Sequence, residues 1–184
     1  MIEAELKARV TDPVALRERL ARLAAAEVSV YRDTYYDRPD HQLTRQDREL
    51  RVRVVDTAGT RRTVLTYKEP AADAATRSKP EHETPVGDAV VIDTILLALG
   101  LTRLVAFEKH CENYRFTAHN REMLATIVTV PEIDGVFVEL ETMAAEADLP
   151  AALADVSAVL AELGITAEHL TTELYTEAMM RARA

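Results

Sequence analysis

The chain opens Ile2-Glu3-Ala4-Glu5-Leu6-Lys7-Ala8-Arg9-Val10. Every even position is apolar and every odd one is charged. That period of two belongs to a β-strand with one face against a hydrophobic layer and the other wholly charged. Glu3 and Glu5 then stand on one face, about 6.6 Å apart. Like charges side by side are unfavourable without a partner. A shared cation is the simplest partner, and carboxylate oxygens suit Mg²⁺ or Mn²⁺. The same spacing recurs at Glu81/Glu83 and Glu139/Glu141, so three separate strands would bring acids to one metal-binding interior.

The alternation also recurs. Leu50, Val52 and Val54 alternate with Arg51 and Arg53; Leu65 and Tyr67 with Thr66 and Lys68; Val136, Val138 and Leu140 with Phe137, Glu139 and Glu141. Arg77, Lys79, Glu81 and Glu83 share one parity, and Lys109 lies on a further predicted strand, Leu104 to Phe116. A single strand of this kind reads as the exposed face of an antiparallel sheet. Solvated faces, however, usually mix in Ser, Thr, Gln and Asn, whereas these carry almost only Glu, Lys and Arg. A closed antiparallel barrel with a polar bore gathers them into one site. There Arg would grip phosphates by bidentate hydrogen bonds and Lys as a point charge, while the acids held the metal that accompanies polyphosphate.

Between the strands the pattern turns helical. Asp12-Pro13 is an N-cap followed by proline at the first helical position, and Leu16, Leu20 and Leu23 carry that helix to about Ala26. Asp88 starts a strongly apolar helix that stops at Gly100. Leu149, Leu153, Val156, Leu160 and Leu163 mark a third, ended by Gly164, and Leu170, Leu174 and Ala178 a last one. These stripes predict core faces laid on the barrel exterior. Asp56 to Arg61, with Ala58-Gly59, reads as a hairpin turn, and Pro70 to Thr76 as a loop.

At 184 residues the chain is long enough for a single domain, 1–184, with a sizeable core. Its net charge of −9 disfavours general nucleic-acid binding while allowing a local basic bore. The single Cys111 excludes an internal disulfide and fits a reducing cytoplasm. The N-terminus enters a charged strand at once rather than a signal peptide. The longest apolar stretch, Ala89 to Leu101, contains Asp93 and is too short to cross a bilayer. A cytoplasmic protein without membrane association is expected. His41, His82, His110, His119 and His169 lack metal-ligand spacing, and parity turns His82 and His110 outward. There is no glycine-rich phosphate loop and no nucleophile elbow.

The ordered set Glu3-x-Glu5-x-Lys7, Asp33-Thr34-Tyr35-Tyr36-Asp37, Leu50-Arg51-Val52-Arg53, Leu65-Thr66-Tyr67-Lys68, Arg77…Glu81-x-Glu83, Lys109 and Phe137-Val138-Glu139-Leu140-Glu141 resembles the CYTH superfamily of triphosphate tunnel enzymes. That superfamily includes class IV adenylyl cyclases and thiamine triphosphatases. The wording of several segments, with the helix around Tyr175, is closer to the cyclase branch. The resemblance implies an α+β protein built on an eight-stranded antiparallel tunnel with helices outside. It implies a Mg²⁺- or Mn²⁺-dependent enzyme acting on a small-molecule triphosphate, as a monomer or homodimer. By the same resemblance Lys7, Arg51, Arg53, Lys68, Arg77, Lys79 and Lys109 would grip phosphates. Glu3, Glu5, Glu81, Glu83, Glu139 and Glu141 would hold one or two metals, and Glu3, Glu5, Lys7 and Lys109 would act in catalysis.

A cyclase of this kind converts ATP to cyclic AMP and pyrophosphate. The alternatives are hydrolysis of tripolyphosphate or thiamine triphosphate, a repurposed enzyme acting on another phosphorylated metabolite, or a binder without turnover. Two positions depart from the family pattern. Lys109-His110-Cys111 stands where Lys-x-Arg is usual, which removes a phosphate donor. Thr129, six residues before Gly135, stands where cyclase-like members carry Asp, which removes a polar group expected near the reacting end.

Overall fold

The computed structural model describes residues 1–184. Eight strands form: β1 (Ile2–Val10), β2 (Glu27–Asp37), β3 (Glu49–Thr57), β4 (Thr60–Lys68), β5 (Lys79–Val86), β6 (Thr102–Ala118), β7 (Arg121–Val130) and β8 (Ile133–Ala144). Five α-helices join them: α1 (Pro13–Ala21), α2 (Gln42–Arg45), α3 (Ala89–Ala98), α4 (Leu149–Glu162) and α5 (Tyr175–Ala182). The strands close into one antiparallel barrel in the order β1-β5-β4-β3-β2-β6-β7-β8. Local chemistry sets the corners. Gly59 takes a left-handed φ of 82° in the β3–β4 turn. His119 and Asn120, with φ of 51° and 59°, make the tight β6–β7 turn, where two successive left-handed residues match the twist of the strands.

The barrel is inverted relative to a filled one: its apolar layer lies outside. Leu6 and Ala8 of β1, Ala125 and Ile127 of β7, and Val138 and Leu140 of β8 pack outward against Leu16 and Leu20 of α1 and Val156, Val159 and Leu160 of α4. The alternating strands therefore turn their charged faces into the bore. A smaller apolar layer lies on the inner face at one end, where Tyr35, Phe107, Cys111, Val128 and Phe137 meet Tyr175 and Met179 of α5. Tyr175 packs edge-on to Phe137, 5.4 Å between centroids, so α5 stoppers that end.

Three helical expectations need correction. The first helix ends at Ala21, not near Ala26: the amides of Leu23 and Ala24 both bond the Leu20 carbonyl, and β2 claims the chain from Glu27. The strongly apolar α3 is not a core face. It buries only Leu96, against Tyr36 and Val52, and leaves Val90 and Leu99 about two-thirds or more exposed. The last helix starts at Tyr175, not Leu170. Leu170 instead bridges Ala8, and the Thr171 amide donates to the Lys7 carbonyl.

That last difference has a clear cause. β1 pairs with β8 along its whole length but with β5 only at Ile2↔Pro80 and Glu3↔Lys79. Beyond Glu3 its second edge would carry unpaired backbone groups, which are costly when buried. The extended segment after α4 takes up part of that edge.

Leu160→Ala, in the layer between α4 and the barrel, should cost about 2–5 kcal/mol in urea unfolding. Leu99→Ala, at the exposed C-cap of α3, should cost less than about 0.5 kcal/mol. Equal costs would mean that the main core is not where the packing puts it.

Candidate functional site

Each strand with the charged alternation delivers those side chains to one cavity of about 400 Å³, within the usual range for ligand sites. All thirteen residues singled out by the motifs line it: Glu3, Glu5, Glu81, Glu83, Glu139 and Glu141, with Lys7, Arg51, Arg53, Lys68, Arg77, Lys79 and Lys109. His82 and His110 are exposed outside the bore, as parity required.

Register sorts these charges. Across β1 and β8, Glu5 stands opposite Glu141 while Lys7 stands opposite Glu139. The like-charged pair is joined by Glu3, and oxygens of Glu3, Glu5 and Glu141 all lie within 4.8 Å of one another. Burial, then the charges of Glu139 and Glu3, push the Glu5 carboxyl up to about 8. Burial and the neighbouring carboxylates of Glu3 and Glu5 raise Glu141 likewise. Glu139 goes the other way: burial opposes its charge, but Lys109 and Lys7 outweigh it and hold it below the ordinary range. Of the six paired acids, then, the trio Glu3, Glu5 and Glu141 is the set that could hold a cation. Glu139 faces lysines, with Lys109 Nζ at 3.6 Å. Glu81 is tied to Lys68, whose ammonium lies 2.8 Å from it and also bonds Glu3. The Lys68–Glu81 contact is an ion pair in distance without good hydrogen-bond direction, since the same Glu81 oxygen has no aligned donor.

The basic residues differ in how far they are committed. Arg53 is held in a fork by the wholly buried Asp33, at 2.6 and 2.7 Å, with its guanidinium 4.5 Å from the Tyr31 ring. Burial resists the charge on Asp33, but Arg53 holds its carboxyl well below the usual range. Lys79 is surrounded by the Asp47 carbonyl, the Asp47 carboxylate and Glu49 at 2.8 to 2.9 Å. Arg77 lies ahead of β5 rather than on it, in a left-handed conformation, and donates to Asp47. Arg51 is different. Its Nη2 reaches Thr66 at 3.3 Å, but its buried Nε–H has no partner, so a donor stands ready in the bore. Lys7 and Lys109 lie over the Tyr175 ring at 4.2 and 4.0 Å, and Lys7 donates to the Glu173 carbonyl. Burial, reinforced by Lys109, lowers the Lys7 ammonium despite Glu139.

Thr129 is a correction. It pairs with His110 on the outer face, while Thr126 of the same strand lines the bore. Counting back from Gly135 therefore selects a position outside the cavity, beside the register shift between Val128 and Val130. Cys111 does share the Lys109 face, in the apolar end layer, where burial pushes its thiol up to about 12 and leaves it unreactive. The motifs assign no role to Glu49, Asp33, Asp47 or Tyr175, although Asp33 lies in one of them and the helix of Tyr175 is part of the resemblance. Glu49 shares parity with Arg51 and Arg53 and was findable on that ground. Asp33 shares parity with Tyr31 and Tyr35. Asp47 and Tyr175 arrive from a loop and a distant helix and carry no periodic signal.

The raised carboxyls give a pH dependence. Between the ordinary value of 4.5 and about 8, the folded chain keeps a proton on Glu5 that the unfolded chain releases. This contribution to stability is full below the ordinary carboxyl range and is lost as pH rises through about 8. In chelator-treated protein, Glu5→Gln should raise the melting temperature more at about pH 8.5 than at about pH 6, by roughly 2–4 °C per kcal/mol regained. A variant that tracks wild type at both values would show that Glu5 ionises normally.

The chain matches the CYTH domain over residues 1–175. A protein of Methanocaldococcus jannaschii named a "putative adenylate cyclase" is 27% identical over 143 residues, 77% of each chain. A Vibrio parahaemolyticus structure described in the same words superposes with a TM-score of 0.83 at 21% identity, covering 98% of both chains. A Hippeastrum structure described as a "putative adenylyl cyclase" that reveals a dominant triphosphatase activity superposes with a TM-score of 0.68 at 16% identity, covering 98% of this chain and 96% of that one. At these identities the two structures attest the fold, and it is the domain match along nearly the whole sequence that places the protein: the chain belongs to the CYTH domain family.

Proposed function

We propose that the bore binds a triphosphate together with a divalent cation, Mg²⁺ or Mn²⁺, and that the protein is a class IV-type adenylyl cyclase converting ATP to cyclic AMP and pyrophosphate. The observation that carries the proposal is the sorting of charge in one cavity: three mutually close carboxylates on β1 and β8, and the unpartnered Arg51 donor with two lysines elsewhere on the wall. Glu3, Glu5 and Glu141 would hold the cation; their hard oxygens and crowded charge fit it. When bound, it supplies Lewis-acid activation of the attacking hydroxyl and neutralises phosphate charge.

In cyclisation the ribose 3′-oxygen bonds the α-phosphorus, the bond from that phosphorus to the bridging oxygen breaks, the hydroxyl proton is lost and pyrophosphate departs. Arg51, Lys7 and Lys109 would donate to the phosphate oxygens on which charge accumulates. Arg53, held by Asp33, would fix the wall and contribute at most its remaining N–H groups. Lys68, Lys79 and Arg77 would contact phosphate only by sharing themselves with Glu3, Glu81, Glu49 and Asp47. Glu81, Glu83 and Glu139 would then tune these cations rather than coordinate metal first.

A second reading, hydrolysis of the terminal phosphate, keeps the same clamp and replaces the ribose hydroxyl by water. It is favoured by Cys111: the position two residues after Lys109 carries no guanidinium to help fix the ribose in line, and the arginine of that face, Arg115, stands six residues away. The name of the Methanocaldococcus relative supports the cyclase, and the activity ascribed to the Hippeastrum protein supports the hydrolase. No helix is long and apolar enough to cross a membrane.

Incubation of ATP with Mg²⁺ or Mn²⁺ should yield cyclic AMP and pyrophosphate by mass; ADP and phosphate alone would establish the hydrolase. Arg51→Met should lower kcat/KM about 10²–10³-fold with little change in folding. Arg53→Met should instead destabilise the fold by about 3–5 kcal/mol, because Asp33 is left buried and unpaired. Cation binding competes with the Glu5 proton, so added Mg²⁺ should raise the melting temperature more at about pH 8.5 than at about pH 6. An equal increment at both would argue against these carboxylates as ligands.

A further inference from the structure

Tyr175 and α5 close one end of the bore. The other end is bordered by the β3–β4 and β6–β7 hairpins, and there the lining residues reach solvent: Arg62, Glu83 and Arg115 are exposed, and Met143 is 48% exposed. Two cations at this end take no part in the clamp described above. Arg62 lies on β4 and Arg115 on β6, and deeper on the same two strands, each six residues away, stand Lys68 and Lys109. Six is an even spacing, so lysine and arginine share the bore face of each strand. The wall thus carries two tiers of cations. About 20 Å of strand separates them, roughly 15 Å along the axis at the usual barrel tilt.

The tiers differ in commitment. Lys68 lies between Glu3 and Glu81, and Lys109 faces Glu139. The guanidinium groups of Arg62 and Arg115 have neither an ion pair nor a hydrogen bond within the protein, although both line the bore. Carboxylates are not scarce in a chain with 31 acidic side chains against 22 basic ones. Arg61, beside Arg62 but on the outer face, does pair with one, Asp56. Neighbours of the two free arginines are occupied with one another. Glu83, on the same rim, accepts from Thr66 at 3.2 Å. Asn113, one bore-face position inside Arg115, accepts from Tyr31 at 3.0 Å and Thr126 at 3.1 Å and donates to Ser29.

Register ties Arg115 to the acidic trio. Arg115 stands opposite Leu124, and Leu124 opposite Glu141, so the three form one row across β6, β7 and β8. Two strand spacings, about 10 Å, separate Arg115 from Glu141 at the backbone, and the long arginine side chain spans much of that. A phosphate on a cation held by Glu3, Glu5 and Glu141 would therefore have Arg115 on its outward side and the lysines on its inward side. A triphosphate is too short to engage both tiers; a longer chain is not. Guanidinium forks take phosphate oxygens bidentately. At the rim they also draw in a polyanion that the net charge of −9 would otherwise repel. We propose that Arg62 and Arg115 form an outer seat for phosphate groups beyond the third, so that the bore accepts linear polyphosphate longer than a triphosphate with its free end at the hairpin rim. The proposal rests on the triphosphate reading of the bore.

The test uses linear methylene-bridged chains of three and of five phosphoryl groups, whose links between phosphorus atoms cannot be cleaved, with Mg²⁺ and calorimetric dissociation constants. Wild type should bind the longer chain about thirtyfold more tightly. Arg62→Met combined with Arg115→Met should cut that ratio to about threefold, the statistical advantage of a chain offering three registers for a triple contact. The same double change should alter binding of the shorter chain less than about twofold. Arg38→Met, at a side chain equally exposed and unpaired but off the bore, should leave the ratio as it is in wild type. A ratio of only about threefold in wild type, a full ratio surviving in the double variant, an equal loss for both chains, or the same loss from Arg38→Met would overturn the outer seat while leaving the bore as a triphosphate site. Failure of wild type to bind either chain would overturn the reading of the bore itself, and the seat with it.

Discussion

Glu5 faces Glu141 across the β1–β8 ladder, and the rest of the interior is arranged around that unfavourable contact. Two carboxylates directly opposed on one sheet face, with Glu3 beside them, are pushed toward the protonated form, first by burial and then by the carboxylates around them. Nothing in the fold requires acids there; a barrel interior filled with aliphatic side chains would be simpler. The chain accommodates them by placing its hydrophobic layer outside the barrel, under α1 and α4, so that integrity does not depend on the bore. Two residues further along the same ladder, Lys7 opposite Glu139 reverses the sign of the interaction. A shift of one residue in register would turn both pairs outward and replace them with alanine and leucine.

The bore then divides into committed and available charge. Asp33 with Arg53, and Asp47 and Glu49 with Lys79, are closed arrangements whose partners satisfy each other at short range. Such buried pairs contribute little net stability and a great deal of positional definition, since breaking one leaves a bare charge. Arg51, Lys7 and Lys109 are held less tightly. Two of them rest on the face of Tyr175, a soft interaction that an anion can outcompete. The wall is thereby rigid where it must keep its shape and yielding where a ligand would enter.

Much of this was legible in the chain because a strand's period of two is unambiguous when one face carries only charge. Glu3, Arg51, Lys68 and Glu139 all entered the bore by parity alone, and closure into a barrel followed from the number of such faces. What escaped has physical reasons. Counting from a motif fails where alternation decides: Thr129 follows Ile127 to the outer face of β7, and Arg77 precedes its strand altogether. Apolar content overstates burial where a helix has little to lie on, as α3 shows. The stripe of Leu170 and Leu174 looked helical, but the unpaired edge of β1 claimed the backbone there first. Partnerships such as Asp47 with Lys79 depend on loop conformation, which no local pattern encodes.

The seam beside β1 bears on how the chain matures during synthesis. The first strand emerges from the ribosome with a fully charged face, yet its long partner ends at Ala144 and its other edge awaits Leu170 and Thr171. β2, β3 and β4 can pair as neighbours soon after they appear, but the ring cannot shut until β8 and then Leu170 and Thr171 have been made. In the interval β1 is an orphan edge. Its row of Glu, Lys and Arg makes it a poor template for pairing with another nascent chain. The side chains that define the site in the finished protein thus serve earlier as protection against misassembly, until closure joins segments far apart in the sequence.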